Sequence, residues 1–291
     1  MLAASAVATA GCAVSNLSAN AGDGPDRLTK LNRFAVNLEM WWRERPMLER
    51  IDQAAYHRFS KVELWTTGSE GKLPADLARR ASDAGVDIVH FVGAIARMAT
   101  VPTDEFEAKC RSIADTAAIL GARKVTLTGY GGASHLTRDA VVAALVERLV
   151  RVEPLFRKSG LTAMLEPLNP HDHPGQCLYG SADALAVCRA VSSDHIRLNW
   201  DFFHMQRSEG NILDNFAKGR DQCGYIQIAD PPSRNEPGLG EVNFVSVLSA
   251  ALASGLGEDI GLECYPANGE QAAIGRVLDL VRAVERNGRS S

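Results

Sequence analysis

The sequence predicts an α/β fold, a closed (β/α)8 barrel. From residue 34 onward, eight short apolar runs alternate with amphipathic stretches, the pattern of parallel strands joined by helices. The 291 residues match the roughly 250 that one such barrel takes. The last four runs each stop at a carboxylate or carboxamide: Glu166, Asp201, Gln227 and Glu263. A strand buried on both faces reads as a continuous apolar run. A polar residue at its C-terminal end therefore marks the rim where a barrel gathers its reactive groups.

Strands are expected at residues 34–38, 61–65, 86–92, 124–128, 161–166, 196–201, 224–229 and 260–264. Pro46 opens a helix that runs to Phe59. Pro74 opens one to Ala84, with Gly85 as its C-cap. Thr103, with Asp104 and Glu105 in the first turn, starts the helix that ends at Leu120-Gly121. Thr137 starts a long helix ending near Ser159-Gly160, and Ser181 caps residues 182–191. Helices over 243–254 and 268–286 complete the alternation. The alternative is an open doubly wound sheet. It places a Gly-rich phosphate loop after its first strand, and Asn37-Leu38-Glu39-Met40 is not one.

With 46% hydrophobic and 23% charged residues, the chain gives no case for general disorder. A formal net charge of −4 argues against nucleic-acid binding, which calls for a basic surface. The six cysteines (Cys12, Cys110, Cys177, Cys188, Cys223, Cys264) form no C-x-x-C pair, so buried free thiols are expected. Residues 1–33 stand apart, rich in Ala, Ser and Thr, then Asn, Gly and Asp. They read as a disordered tail or a truncated export signal. The stretch is too short to span a bilayer and lacks a positively charged start, yet Thr9-Ala10-Gly11-Cys12 is similar to a lipoprotein box. A signal implies export to the periplasm, a tail a cytoplasmic location. The barrel domain is expected over residues 34–291, with no membrane span.

The four strand-end groups make a hard, oxygen-rich set suited to Mg²⁺ or Mn²⁺. A helix cap or an Arg partner would explain one such carboxylate. Four polar ends on consecutive strands favour one shared divalent metal ion, without which the three charges repel. His204, three residues past Asp201, is a candidate to donate to a substrate oxygen or to ligate metal. Arg234, seven residues past Gln227, is a candidate for a bidentate contact with a substrate carboxylate. Glu63, on the second strand, is a candidate for a substrate hydroxyl or for a supporting role. His171 and His173 have H-x-H spacing, but between Pro170 and Pro174 they read as exposed loop residues.

Several stretches carry a resemblance: Glu166-Pro167-Leu168-Asn169-Pro170, Asp201-Phe202-Phe203-His204-Met205-Gln206, Gln227-Ile228-Ala229-Asp230, Glu236-Pro237-Gly238 with Gly240-Glu241-Val242-Asn243-Phe244, and Glu263-Cys264-Tyr265. Together they resemble the hydroxypyruvate isomerase family, within the xylose isomerase-like superfamily of sugar isomerases and epimerases. The similarity covers about residues 34–286. It implies a TIM barrel that binds a divalent metal ion through Glu166, Asp201, Gln227 and Glu263, with Glu166 and Glu263 as the acid/base pair. The related ketose 3-epimerases generally place a His where Gln227 stands. The chain departs from the family pattern at Trp65-Thr66-Thr67-Gly68 and Val92-Gly93-Ala94-Ile95-Ala96-Arg97, the loops that would roof the substrate. The resemblance implies a metal-dependent aldose–ketose isomerase. It would convert hydroxypyruvate to tartronate semialdehyde, or a similar small 2-oxo acid or sugar, by Glu/Glu proton transfer through an enediolate. Alternatives on the same scaffold are a sugar 3-epimerase, a 2-oxo-sugar-acid isomerase, and a non-catalytic sugar-binding barrel. A DNA-repair endonuclease would need further His ligands and a cationic face. The expected partner is a small carbohydrate or 2-oxo acid, not nucleic acid; association as a homo-oligomer is left open.

Overall fold

The computed structural model describes residues 31–69 and 71–288. The tail or signal reading of residues 1–30, with Cys12, lies outside them. Eight strands close a parallel barrel in chain order: β1 (Phe34–Asn37), β2 (Lys61–Leu64), β3 (Asp87–Ala94), β4 (Lys124–Thr128), β5 (Thr162–Leu165), β6 (Ile196–Asp201), β7 (Cys223–Gln227) and β8 (Ile260–Leu262). Closure comes from β1 pairing with β8, Ala35 opposite Gly261.

Among the described residues the helices are α1 (Met47–Tyr56), α2 (Pro74–Ala84), α3 (Thr103–Leu120), α4 (Arg138–Ser159), α5 (Ser181–Val191), α6 (Phe202–Ser208), α7 (Ile212–Gly219), α8 (Phe244–Ala253) and α9 (Glu270–Gly288). None is long and apolar enough to cross a membrane. The expected stops hold for α2, α3 and α4, where Gly85, Gly121 and Gly160 take left-handed φ of 66°, 72° and 64°. The Thr137 hydroxyl caps α4 by accepting from Ala140 N. Ser181 does not cap α5. It is the helix's first residue, Gly180 precedes it, and Glu209 Oε2 accepts from Ser181 N at 3.0 Å. Pro46 sits just before α1 rather than inside its first turn. Between β6 and β7 stand two short helices, α6 and α7, that the sequence pattern does not announce.

The apolar core fills the layer between strands and helices. Trp200, Phe202 and Phe216 form one knot of it, with ring centroids 5.2–6.4 Å apart. The barrel's interior is instead polar. Asn37, Glu63, His90, Thr126, Asn199, Tyr225 and Gln227 are each at most 1% exposed and hydrogen-bond across the barrel. The parallel register slips immediately before Glu63 and before Asn199. Such irregularities re-aim the side chains that follow. At the N-terminal ends of the strands, Lys61 and Lys124 grip Asp259 at 2.6 and 2.7 Å.

Candidate active site

Gln227 and Asp201 are the last residues of β7 and β6, while Glu166 and Glu263 directly follow β5 and β8. All four sit at the C-terminal ends of their strands. Asp201 is also the N-cap of α6, accepting from Phe203 N at 2.8 Å. One oxygen each of Glu166 and Asp201 and a ring nitrogen of His204 lie within 4.8 Å of one another. Arg234 enters the same cluster. Its Nη2 stands 3.0 Å from Glu263 Oε2 and 3.2 Å from Asp201 Oδ2, and its guanidinium lies over the Phe203 ring, 4.9 Å from the centroid.

The cluster holds three buried carboxyl groups against this one cation. Burial, then the charges of Glu263 and Asp201, push the Glu166 carboxyl well above the usual range. Burial raises Glu263 to about 8 even with Arg234 opposing the shift. Asp201 is raised by burial, and Arg234 offsets part of that. The same carboxylates outweigh burial for Arg234 and hold it charged. Glu263 Oε2 is buried without a well-aligned hydrogen bond. Oxygen donors short of positive charge suit a hard divalent cation, so the residues fit the metal ion that the sequence implies.

Asn169 fixes the state of His204. The Asn169 Oδ1 accepts from the backbone N–H groups of His171 and Asp172, both at 3.0 Å. Its Nδ2 is thereby turned to His204 Nδ1 at 2.8 Å. A nitrogen that accepts carries no proton, so the imidazole is neutral and its proton is on Nε2. Burial, with Arg234 and His173 nearby, drives the His204 pKa well below its ordinary value. Nε2 stands 3.5 Å from Asp201 Oδ2 and 3.2 Å from Arg234 Nη2, a group that only donates, so both ring nitrogens face a donor and only the closer one, Asn169 Nδ2 at 2.8 Å, is bonded to the ring. With Nδ1 accepting from Asn169, His204 presents Nε2–H toward Asp201 Oδ2; with the ring turned to the other tautomer, Nε2 would be the nitrogen that groups with Glu166 and Asp201.

The cluster opens into a cavity of about 290 Å³. Glu166, Glu263, His204 and Arg234 line it together with Trp65, Val92, Ala94, Tyr130, Leu168 and His173. Both loops that depart from the family pattern thus contribute to its wall. Trp65 Nε1 donates to Glu263 Oε1 at 2.6 Å. His173, expected to be exposed, instead packs edge-on against His204 at 5.1 Å and bonds the Tyr130 hydroxyl through Nδ1 at 2.7 Å. His171 is exposed as expected. Trp65, Tyr130, Asn169 and His173 are not among the expected site residues; Trp65 stands in a loop expected to roof the substrate, His173 in the H-x-H pair and Asn169 in the Glu166–Asn169 motif, and Tyr130 carries no signal.

Glu63 is corrected as a substrate contact. It is fully buried, and its oxygens accept from Asn37 Nδ2, Tyr225 OH and Gln227 Nε2. Burial alone would raise its pKa, but His90, Tyr225 and Asn37 outweigh burial and hold the carboxyl below the usual range. Gln227 is engaged at both ends of its amide: Nε2 to Glu63, and Oε1 accepting from Asn199 Nδ2 at 2.6 Å. A carbonyl oxygen has a second lone pair, so this bond leaves Oε1 able to ligate.

A closed parallel barrel with buried carboxylates converging beside a small cavity at its C-terminal rim defines a class of α/β-barrel proteins with an acidic rim site. The chain belongs to the xylose isomerase-like TIM barrel family, whose model matches residues 49–284. It is 27% identical over 256 residues to hydroxypyruvate isomerase of Escherichia coli (strain K12), covering 83% of this chain and 96% of that protein. It is also 27% identical over 252 residues to 2-oxo-tetronate isomerase of Cupriavidus necator, covering 84% and 96%. Among solved structures, AP endonuclease, family 2 from Brucella melitensis matches with a TM-score of 0.78 at 23% identity, covering 85% of this chain and 98% of that one. That likeness is one of fold.

Proposed function

We propose that the chain is a metal-dependent aldose–ketose isomerase acting on hydroxypyruvate or a similar small 2-oxo acid or sugar. The observation that carries this reading is the pair Glu166 and Glu263. They follow β5 and β8, strands that are not neighbours, yet line one cavity. Two such carboxyl groups can take a proton from one substrate carbon and return it to the next. Glu166, Asp201, Gln227 and Glu263 would hold Mg²⁺ or Mn²⁺, which supplies Lewis-acid stabilisation of the enediolate charge. His204 Nε2–H donates to a substrate oxygen, and Arg234 steadies a carboxylate or oxyanion through the guanidinium donors not committed to Asp201 and Glu263. Trp65 holds one Glu263 oxygen in place. The names of the two curated relatives support the isomerase class.

The test is proton NMR of hydroxypyruvate and a panel of small 2-oxo acids and sugars in D₂O with Mg²⁺. Deuterium at the α-carbon together with a relocated carbonyl is the expected result. Epimerisation keeps the carbonyl where it was and would favour the 3-epimerase reading. Saturable binding without exchange would favour a binding barrel. Undiminished turnover in excess chelator would remove the metal from the mechanism.

A further inference from the structure

We propose that Glu63 is a positioning residue: it fixes the side-chain amide of Gln227 so that an oxygen, and not an NH₂ group, is left to the cation. The inference rests on the metal-dependent reading above. A glutamine amide has the same shape in both flip states, but only its oxygen can ligate a cation. Something beside Gln227 must therefore choose the state.

Of the groups beside Gln227, Glu63 is the one that can make the choice. Asn199 donates from Nδ2 to Gln227 Oε1 at 2.6 Å and to Thr126 Oγ1 at 3.1 Å. Asn199 can itself flip, and its Oδ1 is buried without a partner. A joint flip of Asn199 and Gln227 would keep their mutual bond. Thr126 can donate or accept, and His90, 2.7 Å from the Thr126 hydroxyl, can change tautomer. Every member of this chain is reversible except Glu63, which stands at both ends, beside Gln227 Nε2 and 3.4 Å from His90 Nδ1. Glu63 faces four groups, Tyr225 OH at 2.7 Å, Asn37 Nδ2 at 3.0 Å, Gln227 Nε2 at 3.1 and 3.2 Å and His90 Nδ1 at 3.4 Å. A carboxylate among donors only accepts. A flipped Gln227 would set its oxygen against both Glu63 oxygens, in a barrel interior shut off from the solvent that could relieve the clash.

The surrounding backbone makes room for this contact. The β2 register slips between Val62 and Glu63. On β8, Gly261 carries no side chain; a Cβ there would lie 2.4 Å from Glu63 Oε2 and 2.7 Å from Gln227 Cγ. The glycine serves space rather than backbone freedom, since its φ lies outside the left-handed region.

The experiment compares Mn²⁺ affinity, by titration calorimetry, in the wild type, E63Q, Q227E and E63Q/Q227E, with circular dichroism to report the fold. E63Q should weaken Mn²⁺ binding by about 10–100-fold, the usual effect of losing a group that orients a ligand. E63Q/Q227E should regain most of that loss, because a carboxylate at 227 shows an oxygen either way and the amide introduced at position 63 can donate to it. A purely structural role for Glu63 predicts that E63Q costs as much Mn²⁺ affinity in the Q227E background as in the wild type, so the double variant is read against Q227E alone. Unchanged affinity in E63Q, or loss without rescue, overturns the inference alone; a wild type that takes up no Mn²⁺ overturns the metal reading and this inference together. Neutron diffraction of the wild type needs no variant: the Gln227 NH₂ deuterons should face Glu63, and deuterons facing Asn199 would overturn the inference even if E63Q fails to fold.

Discussion

Replacing Asn169 by Asp tests how the site sets the proton on His204. The side chain makes four hydrogen bonds: two accepted by Oδ1 from backbone N–H groups, and two donated by Nδ2 to Asp172 and His204. N169D keeps the accepted pair and turns the donor end into an acceptor. His204 then moves its proton to Nδ1 to meet the new carboxylate, and its Nε2 becomes bare. The contact with Asp172, 2.9 Å in the wild type, becomes carboxylate against carboxylate. One unrepaired buried pairing costs about 1–3 kcal/mol of stability. The catalytic effect is larger. Losing a preorganised donor to a developing oxyanion lowers kcat by about 10²–10³, or roughly 2.7–4 kcal/mol. The double variant N169D/D172N returns a donor to the Asp172 position, so it should recover stability without recovering kcat. Imidazole ¹⁵N NMR reads the tautomer, thermal melts read stability, and steady-state kinetics on the substrate found by the exchange assay read the rate. A wild-type His204 protonated on Nδ1, or an N169D enzyme with kcat within about threefold of wild type, would refute the tautomer argument.

Three further outcomes are expected. E263Q and E166Q should each lower turnover by at least about 10²–10⁴, the range for an acid/base group. Full activity in either variant counts against the acid/base assignment. For pH, the folded Glu263 carboxyl titrates near 8 against about 4.3 in an unfolded chain. Between those values the folded state binds more protons, so metal-free stability is greatest at the acid end and falls as pH rises through 8; melts across pH 5–9 that stay flat or rise would contradict this. D230A should cost about 3 kcal/mol, because Asp230 accepts from the backbone N–H groups of Gly238, Leu239, Gly240 and Val242 and so ties down the loop that carries Arg234. Hydrogen exchange of those amides should quicken, and unchanged protection would show that the loop holds without it.

The barrel was legible because its signal is local and repeated. Buried parallel strands must be apolar, their helices must stop, and Gly85, Gly121 and Gly160 mark three of those stops in the sequence as they do in space. What escaped notice was α6 and α7. Trp200-Asp201-Phe202-Phe203 reads as one apolar run with a single acid in it, because Asp201 ends β6 and caps α6 with no loop between. A residue that closes one element and opens the next leaves no turn signal to read. Ser181 shows the opposite error: a good capping residue was present, but a carboxylate brought in from Glu209 took the position.

The site was legible only where chemistry coincides with strand position. Glu166, Asp201, Gln227 and Glu263 are polar at points where burial forbids polarity without a reason, so each is conspicuous in one dimension. Trp65, Tyr130 and His173 have no such anomaly. A tryptophan after a strand and a histidine between prolines are ordinary loop residues until folding brings them to one cavity. Glu63 is the instructive middle case. Its position on a strand marked it as unusual, but reach and partners decide role, and the donors of Asn37, Tyr225 and Gln227 occupy the oxygens it would need for a substrate. Chemistry at the rim thus depends on a layer of polar side chains beneath it whose hydrogen-bond directions must agree, from Glu63 to Gln227 and Asn199 inside the barrel and from Asn169 to His204 above it. In both chains the orientation is set by a group unable to reverse, a carboxylate in one and a pair of backbone N–H donors in the other, which is why proton placement at this site follows from the fold.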